Sequence, residues 1–170
     1  MTIIKRLYEI INHEPAPYYY DYSIKTLLIK PVRKFFTNVV APNCVSNKVR
    51  IAIYKACGFD IGNNVFIGMH CYLDDMCYDL ISIGNDVTIS YGVYFACHGK
   101  NQGHYPICIE DGVYIGMRAS IISKNSNGSN SGIKIGNNAI IGANCLVNKD
   151  IPKDKTAVGI PCRIIGDSHE

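Results

Sequence analysis

The chain has 170 residues, 48% of them hydrophobic and 18% charged, so it is long and apolar enough to bury a core and is not a disordered segment. Its formal net charge is a modest +3, and we expect no nucleic acid among its partners. The eight cysteines include no CxxC pair, which argues against a structural zinc site or a thioredoxin-like site, so no metal ligand is predicted.

The front of the chain is basic. Residues 1–58 carry nine Lys or Arg against three Asp or Glu, whereas residues 59–170 carry eight against eleven. Glu9 interrupts the first apolar stretch, which argues against a signal peptide, and no uncharged apolar run reaches the roughly 18 residues of a membrane span. We therefore expect reduced cysteines and a cytoplasmic protein, with the basic segment as a candidate contact to the inner face of the membrane.

Two helices are predicted in this segment. SIKTLLIKPVRKFF (23–36) is typical of a basic amphipathic helix that kinks or ends near Pro31. SNKVRIAIYKACG (46–58) predicts a short helix that is capped by Ser46 or Asn47 and stops at Gly58. The residues of this second helix that we expect to face inward are Val49, Ile51, Ile53, Tyr54 and Ala56.

From residue 59 onward a large apolar residue starts every six-residue unit. The twelve positions are Ile61, Ile67, Leu73, Ile83, Ile89, Phe95, Ile109, Ile115, Ile121, Ile135, Ile141 and Val147. A period of six fits neither the 3.6 of a helix nor the 2 of an isolated strand, but it is typical of a β-helix in which each unit forms one flat side and a turn. Three sides close one coil, so the twelve units predict about four coils, stacked at the strand spacing of about 4.8 Å.

Extra residues enter the repeat after every third unit. Successive triplets start 22, 26 and 26 residues apart, which predicts insertions at 79–82, 101–108 and 127–134. All of them leave the predicted β-helix at one edge and form the walls of a groove along that edge. FACHGK (95–100) lies next to this groove. SKNSNGSNSG (123–132) has no apolar anchor, so we expect a mobile loop beside the groove.

The predicted fold is all-β, a parallel β-helix with short N-terminal helices. We divide the chain into an N-terminal helical cap at 1–58, the β-helix at 59–151 and a closing segment at 152–170. In the last region, Pro152 and Pro161 end the coils and CRII lies extended across the base.

The repeats IGNNVFIG and IGNDVTIS and the ending VNKDIPKDKTAVGIPCRII resemble the hexapeptide-repeat acyltransferases. The likeness covers roughly residues 50–166 and is greatest to the galactoside, maltose and xenobiotic acetyltransferases and to the O-acetyltransferases of bacterial surface-polysaccharide synthesis. It implies a left-handed β-helix, a homotrimer and acetyl-CoA as the acetyl donor. The implied function is O-acetylation of a sugar hydroxyl in a capsule or lipopolysaccharide precursor.

In such enzymes a histidine at the end of a coil acts as general base, and the matching position here is His98. The choice is chemically sensible, because an imidazole is the side chain that titrates near neutral pH. His104, six residues later on the inserted loop, is the rival candidate. The register of CHGKNQ is left open, because several family members carry their histidine two residues later. Cys97 is not expected to act as a nucleophile, because this family transfers the acetyl group directly.

The resemblance also supplies donor and acceptor residues. Gly116 and Met117 match the positions that bind the reactive end of CoA, with turn N–H groups available to the thioester oxygen. Ala143 and Lys149 match the positions that line the CoA arm, and Arg163 is placed to meet its phosphates.

For the sugar or glycan acceptor, the candidates are His70, Asp75 and His104. Asp74 and Asp75 share the edge of the groove, where either one orients an imidazole, binds sugar hydroxyls or is a solvated turn carboxylate. The position of the modified hydroxyl is left open.

Three alternatives remain open at this stage. The acceptor can be another small molecule, such as an amino sugar or an antibiotic. Serine is less expected, because the long helical N-terminal domain of serine acetyltransferases is absent from this sequence. A zinc hydro-lyase of the gamma carbonic anhydrase type would need histidines that VYIGMRASII (113–122) does not offer, and a silent scaffold would not bind CoA.

Overall fold

Short strands arranged in three sheets form most of the molecule. The computed structural model describes residues 3–16, 24–98, 103–123 and 132–167. In chain order the strands are β1 Asp60–Ile61, β2 Phe66–Ile67, β3 Ile81–Ile83, β4 Thr88–Ile89, β5 Tyr94–Ala96, β6 Ile107–Ile109, β7 Tyr114–Ile115, β8 Ser120–Ile122, β9 Ile133–Ile135, β10 Ile140–Ile141, β11 Leu146–Val147, β12 Lys155–Val158 and β13 Arg163–Asp167.

The chain visits the three sheets in turn. The first sheet has the order β1-β3-β6-β9, the second β13-β12-β10-β7-β4-β2 and the third β11-β8-β5. All neighbours are parallel except β12 and β13. From β3 to β11, neighbours in a sheet are therefore separated in sequence by one strand of each of the other two sheets.

The large residues that start the six-residue units lie on top of one another. In the first sheet Ile61 pairs with Ile83, Ile83 with Ile109, and Ile109 with Ile135. Equivalent pairs run through the second and third sheets. None of the twelve predicted core residues is more than 6% exposed. The predicted parallel strands and the predicted core are confirmed.

The insertions are shorter than predicted, because the strands after them begin earlier. Ile81, Ile107 and Ile133 are the first residues of β3, β6 and β9, they pair with one another, and they are buried. An apolar residue two places before each repeat start is thus part of the sheet. The predicted bounds 79–82, 101–108 and 127–134 are wrong at their ends for this reason.

The turn regions after the third sheet differ from one visit to the next. Asp75–Leu80 is a 3₁₀ helix after the first visit. The predicted mobile loop at 123–132 falls mostly on 124–131, which lie outside the described residues. Its two ends are described: Ser123 and Gly132 are both buried, and the Ser123 Oγ–H donates to the Pro106 carbonyl at 2.9 Å.

By its internal contacts the chain divides into two compact units, Met1–Lys34 and Phe35–Glu170. Helix α1 spans Ile3–Asn12 and helix α2 spans Ile24–Phe35, followed by a π-helical turn at Phe36–Val40. Of the two alternatives predicted at Pro31, the end of the helix is wrong, because α2 continues past this residue although a proline removes one backbone hydrogen bond. A kink there stays a prediction. The division into 1–58, 59–151 and 152–170 stays a prediction.

Helices α3, Ala41–Asn43, and α4, Asn47–Ala56, precede the first strand. The helix predicted within 46–58 is confirmed, with Tyr54 buried and Ile51 and Ile53 partly buried. Ser46 occupies the N-cap position, but its side chain makes no capping hydrogen bond, so the predicted side-chain cap is wrong. Val49 and Ala56 are exposed, so their predicted inward orientation is wrong.

Arg50, which the apolar pattern does not place inward, is a buried residue of α4. Its side chain is 2% exposed, Nε donates to the Ile67 carbonyl at 2.7 Å, and Nη1 donates to the Cys44 carbonyl. A guanidinium offers several N–H donors in a fixed fork, which suits two carbonyl groups on different segments. Arg50 therefore connects the helical segment to β2.

At the other end, the predicted extended segment is β13, which pairs antiparallel with β12 at the edge of the second sheet. Pro161 lies between these two strands, preceded by a cis peptide bond. Within the described ranges, no helix combines the length and the apolar character needed to cross a bilayer.

Replacing Arg50 by Ala is expected to lower the free energy of unfolding by about 2–4 kcal/mol, because the carbonyl groups of Ile67 and Cys44 lose their donor in a buried place. Lys48→Ala, on the same helix but exposed, is the matched control and should change it by less than about 0.5 kcal/mol. Urea unfolding measures both variants. Equal stability of the two would contradict this role of Arg50.

Candidate active site

The His98 imidazole is held by the Asp74 carboxylate at the corner where the third sheet ends. His98 Nδ1 lies 2.6 Å from Asp74 Oδ2. The Asp74 side chain is completely buried, whereas that of His98 is 47% exposed. One buried carboxylate thus orients an imidazole that solvent and ligands reach.

Backbone amides hold Asp74 in place. Oδ2 accepts from the Cys97 N–H at 3.0 Å, and Oδ1 accepts from the Met76 N–H at 3.2 Å. Burying a carboxylate costs free energy unless its oxygens are hydrogen-bonded, and here both oxygens are. Asp74 caps the 3₁₀ helix Asp75–Leu80 in the same way.

Strand register brings the two residues together. Tyr72 and Tyr94 form a parallel bridge, and their rings stack at 4.6 Å between centroids. Asp74 lies two residues after Tyr72, and His98 lies four residues after Tyr94, so both leave the third sheet on neighbouring levels. The pair is therefore a consequence of how the first two visits to the third sheet stack.

The Asp74 contact fixes the tautomer of His98. A carboxylate only accepts hydrogen bonds, so Nδ1 carries the hydrogen and donates it. In the neutral ring Nε2 then has a free lone pair. A base of this kind can accept a proton from a hydroxyl that approaches Nε2.

The rival histidine lies beside His98. His98 and His104 form an antiparallel bridge, and the Tyr105 N–H donates to the Cys97 carbonyl at 2.8 Å. His104 is exposed, and within the described part of the chain no carboxylate holds its ring. Geometry brings both predicted histidines to one corner and gives only His98 a buried partner.

Asp75, a predicted acceptor residue, is next to Asp74 but makes a different contact. It is partly buried, and its Oδ1 accepts from Asn38 Nδ2 at 3.0 Å. Asn38 belongs to the π-helical turn Phe36–Val40. No pattern in the sequence indicated Asn38, and the 37 residues that separate it from Asp75 conceal the contact.

His70 lies at another corner, in the turn between the second and third sheets. Its φ is 56°, its N–H donates to the Pro42 carbonyl at 2.8 Å, and its ring packs edge to face against Tyr91 at 5.2 Å. A single chain therefore does not bring His70 and His98 together. Its role toward the acceptor stays a prediction.

The predicted donor residues are spread over the fold. Gly116, Met117 and Ala143 occupy the same corner as His70 on later visits, Lys149 follows β11 at the corner of His98, and Arg163 starts β13. All except Gly116 are exposed.

One of the two turn amides predicted for the thioester oxygen is already engaged. The Gly116 N–H donates to the Ile141 carbonyl at 2.7 Å and is not available to a ligand, while the place of Gly116 at the cofactor stays a prediction. Gly116 is required there by close approach, since a Cβ would lie 2.6 Å from the Ala143 nitrogen. The Met117 amide makes no hydrogen bond with any residue in the described part of the chain and stays a candidate.

The cysteines near the site are buried thiols. Burial raises the pKa of Cys97 well above its ordinary value, and the carboxylates of Asp74 and Asp79 act in the same direction. Burial also raises the pKa of Cys77 to about 12. Because the thiolate is the nucleophilic form, Cys97 is not suited to covalent catalysis. Among the described residues, no group of three or more His, Cys, Asp or Glu side chains is arranged to hold a metal ion.

Known proteins share this repeat and this fold. The family described as "Hexapeptide repeat of succinyl-transferase" matches residues 58–95 and 106–149. The galactoside O-acetyltransferase of Escherichia coli K12 is 32% identical over 129 residues, which cover 66% of this chain and 58% of that protein. Bacterial serine acetyltransferases also match, at 31% to 36% identity. The chain spans about half the length of the curated relatives it matches.

Two solved structures extend the comparison. A maltose O-acetyltransferase from Clostridium difficile 630 is 26% identical with a TM-score of 0.61, and the match covers 87% of this chain and 90% of that one. A hexapeptide-repeat acetyltransferase from Vibrio cholerae, solved with acetyl coenzyme A, matches in fold over 100% of both chains, with a TM-score of 0.69 at 21% identity. With its repeats, its stacked core and these relatives, the chain is a hexapeptide-repeat protein similar to known acetyltransferases.

Proposed function

We propose that this protein transfers an acetyl group from acetyl-CoA to a hydroxyl of a sugar, with His98 as the general base. The observation that carries the proposal is the 2.6 Å contact between Nδ1 of the half-exposed His98 and the buried Asp74 carboxylate. The relatives named above support the reaction class, and two of them act on sugars by name. A precursor of a bacterial surface polysaccharide is the acceptor class we favour.

The chemistry follows from the orientation of the ring. The acceptor hydroxyl gives its proton to His98 Nε2 while its oxygen forms a bond to the thioester carbonyl carbon. The C–S bond of the tetrahedral intermediate then breaks, and the imidazolium returns the proton to the departing CoA sulfur. The Asp74 carboxylate stabilises the positive ring during the interval.

The donor residues are assigned by their place in the family and their chemistry. Met117 offers an amide to the thioester oxygen, and Gly116 and Ala143 allow close approach to the backbone. Lys149 and Arg163 are exposed cations suited to the phosphates of CoA. These residues lie at different corners of one chain, which supports a site completed by a neighbouring subunit.

We therefore infer a left-handed β-helix of about four coils that assembles as a homotrimer. The three parallel sheets visited in turn support the coil. On the acceptor side, Asp75 and His104 come from the subunit that supplies His98, and His70 comes from another subunit. In this arrangement His70 of one subunit lies near His98 of another, although the two residues are at different corners of a single chain.

The basic N-terminal segment is proposed to bind the cytoplasmic face of the membrane, where a lipid-linked acceptor would be found. The second helix carries Lys30, Arg33 and Lys34, and Leu28 is 68% exposed and Val32 57% exposed. Cations beside exposed apolar residues suit an anionic lipid surface.

Replacing His98 by Ala is expected to lower the rate of acetyl transfer by about 10²-fold or more, because the hydroxyl loses its proton acceptor. The product is measured by mass spectrometry with a galactoside, maltose and serine as acceptors, since eight cysteines would disturb a thiol assay. His13→Ala, at an exposed place, is the control. If His104→Ala is inactive and His98→Ala is not, His104 is the base.

Replacing Asp74 by Asn keeps the size of the side chain but removes the charge, and it is expected to lower kcat about 10²-fold while acetyl-CoA still binds. The physical reason is the loss of the carboxylate that fixes the ring and stabilises its positive form. Asp79→Asn, on the exposed side of the same 3₁₀ helix, is the matched control. Wild-type kcat in Asp74→Asn would refute the proposed pair.

Reversing the charges of Lys30, Arg33 and Lys34 to Glu is expected to weaken binding of the full-length protein to vesicles that contain anionic lipid. The control reverses three exposed lysines of the second unit, Lys48, Lys55 and Lys153, for the same change in net charge. Co-sedimentation with the vesicles measures both. Equal loss of vesicle binding in the two variants would show that net charge alone determines the binding. Unchanged vesicle binding in both variants would contradict the membrane proposal.

A further inference from the structure

We propose that Asn38 is a positioning residue, which holds Asp75 so that its carboxylate receives a second hydroxyl of the acceptor. The inference rests on the proposed O-acetyl transfer and names a determinant of acceptor specificity within that site. It assigns a task to a segment outside the six-residue repeat, the π-helical turn Phe36–Val40.

The first observation is the contact itself. Asn38 Nδ2 donates to Asp75 Oδ1 at 3.0 Å, across 37 residues of sequence. The turn is anchored beside it, because Thr37 is completely buried. A π-helical turn is a rare distortion that recurs at functional sites, and here it carries the Asn38 side chain that donates to Asp75.

The second observation is that the other polar atom of the Asn38 side chain has no hydrogen-bond partner. Its Oδ1 is buried and has no hydrogen-bond partner. A buried carbonyl oxygen without a donor destabilises a fold, and an apolar side chain of the same size would avoid that cost. Stability therefore does not account for an asparagine at this position, whereas the task of holding Asp75 does.

The third observation is the state of the two adjacent carboxylates. Both oxygens of Asp74 are occupied, by His98, Cys97 and Met76. Asp75 is different: Asn38 occupies Oδ1, and no donor in the described part of the chain reaches Oδ2. The residue is only partly buried, so Oδ2 is left to accept a hydrogen bond from a ligand.

Asp75 directly follows the residue that orients the base, so the two carboxylates leave the chain at the same corner of the fold. Burial first, and then the carboxylates of Asp74 and Asp75, raise the pKa of Tyr72. Asp74 in turn contacts His98. A carboxylate accepts and never donates, so Asp75 selects a hydrogen-bond donor, and a sugar offers one in the hydroxyl next to the reacting hydroxyl.

The test is a double-mutant cycle with Asn38→Leu, Asp75→Ala and the double variant, in full-length protein. Leu is close to Asn in size and removes the unsatisfied oxygen together with the donor. Asn43→Leu is the matched control, because Asn43 lies five residues away and is exposed, and its side-chain amide donates to the Val39 carbonyl and not to a carboxylate of the described site. The probes are a galactoside as acceptor and acetyl-CoA as donor, with KM and kcat for each and the melting temperature of every variant.

We expect Asn38→Leu to raise KM for the galactoside about tenfold, because the acceptor hydroxyl loses its hydrogen bond to the displaced Asp75 carboxylate. KM for acetyl-CoA should change less than about twofold, and the melting temperature should not fall. In the Asp75→Ala background the same substitution should add nothing, because Asn38 acts through Asp75. Asn43→Leu should match the wild type.

The inference would be overturned by a wild-type KM for the galactoside in Asn38→Leu, or by an effect of the same size with and without Asp75. A marked fall in melting temperature with all constants changed together would also overturn it, because Asn38 would then be structural. If the wild-type protein transfers acetyl to no sugar at all, the proposed function fails, and that outcome is separate from a failure of Asn38 alone.

Discussion

The structure depends on one constraint, the stacking of a large apolar residue on its equivalent in the next strand of the same sheet. Ile61, Ile83, Ile109 and Ile135 form one such column, and similar columns run through the other two sheets. Each column removes apolar surface from water and fixes strand register at the same time. Because the columns tolerate no extra residue, every insertion has to leave at a corner.

The candidate site follows from that constraint. The insertions leave at the corner after the third sheet, and register sets Asp74 beside His98 there. Asp74 then connects stability to chemistry, because the amides that compensate for its burial belong to the segments that carry the site. A change that loosens the corner would release the carboxylate and the imidazole together.

The apolar period carries most of the fold information. It identifies all twelve core positions because each side chain needs only to be large and apolar. The period does not reveal Ile81, Ile107 and Ile133, which extend the strands by two residues, because they fall outside the six-residue count. It also gives no sign of Arg50, since a charged residue on a helix is normally exposed, and only the two carbonyl groups around it explain its burial.

The site is harder to predict from the sequence than the core. Resemblance and the chemistry of imidazole point to His98, but the choice between Asp74 and Asp75 as its partner depends on side-chain direction at a turn. Two adjacent aspartates carry no signal that one is buried against a ring and the other is held by Asn38. Contacts between segments far apart in sequence decide such questions, and no local pattern encodes them.

The most direct test of the account is a calorimetric titration of the full-length protein with acetyl-CoA. The account predicts saturable binding near one site per chain, with Kd between about 1 μM and 1 mM. That result would establish donor binding ahead of any acceptor screen. No heat of binding at millimolar acetyl-CoA would contradict the transferase assignment and favour a scaffold that keeps the fold without the reaction.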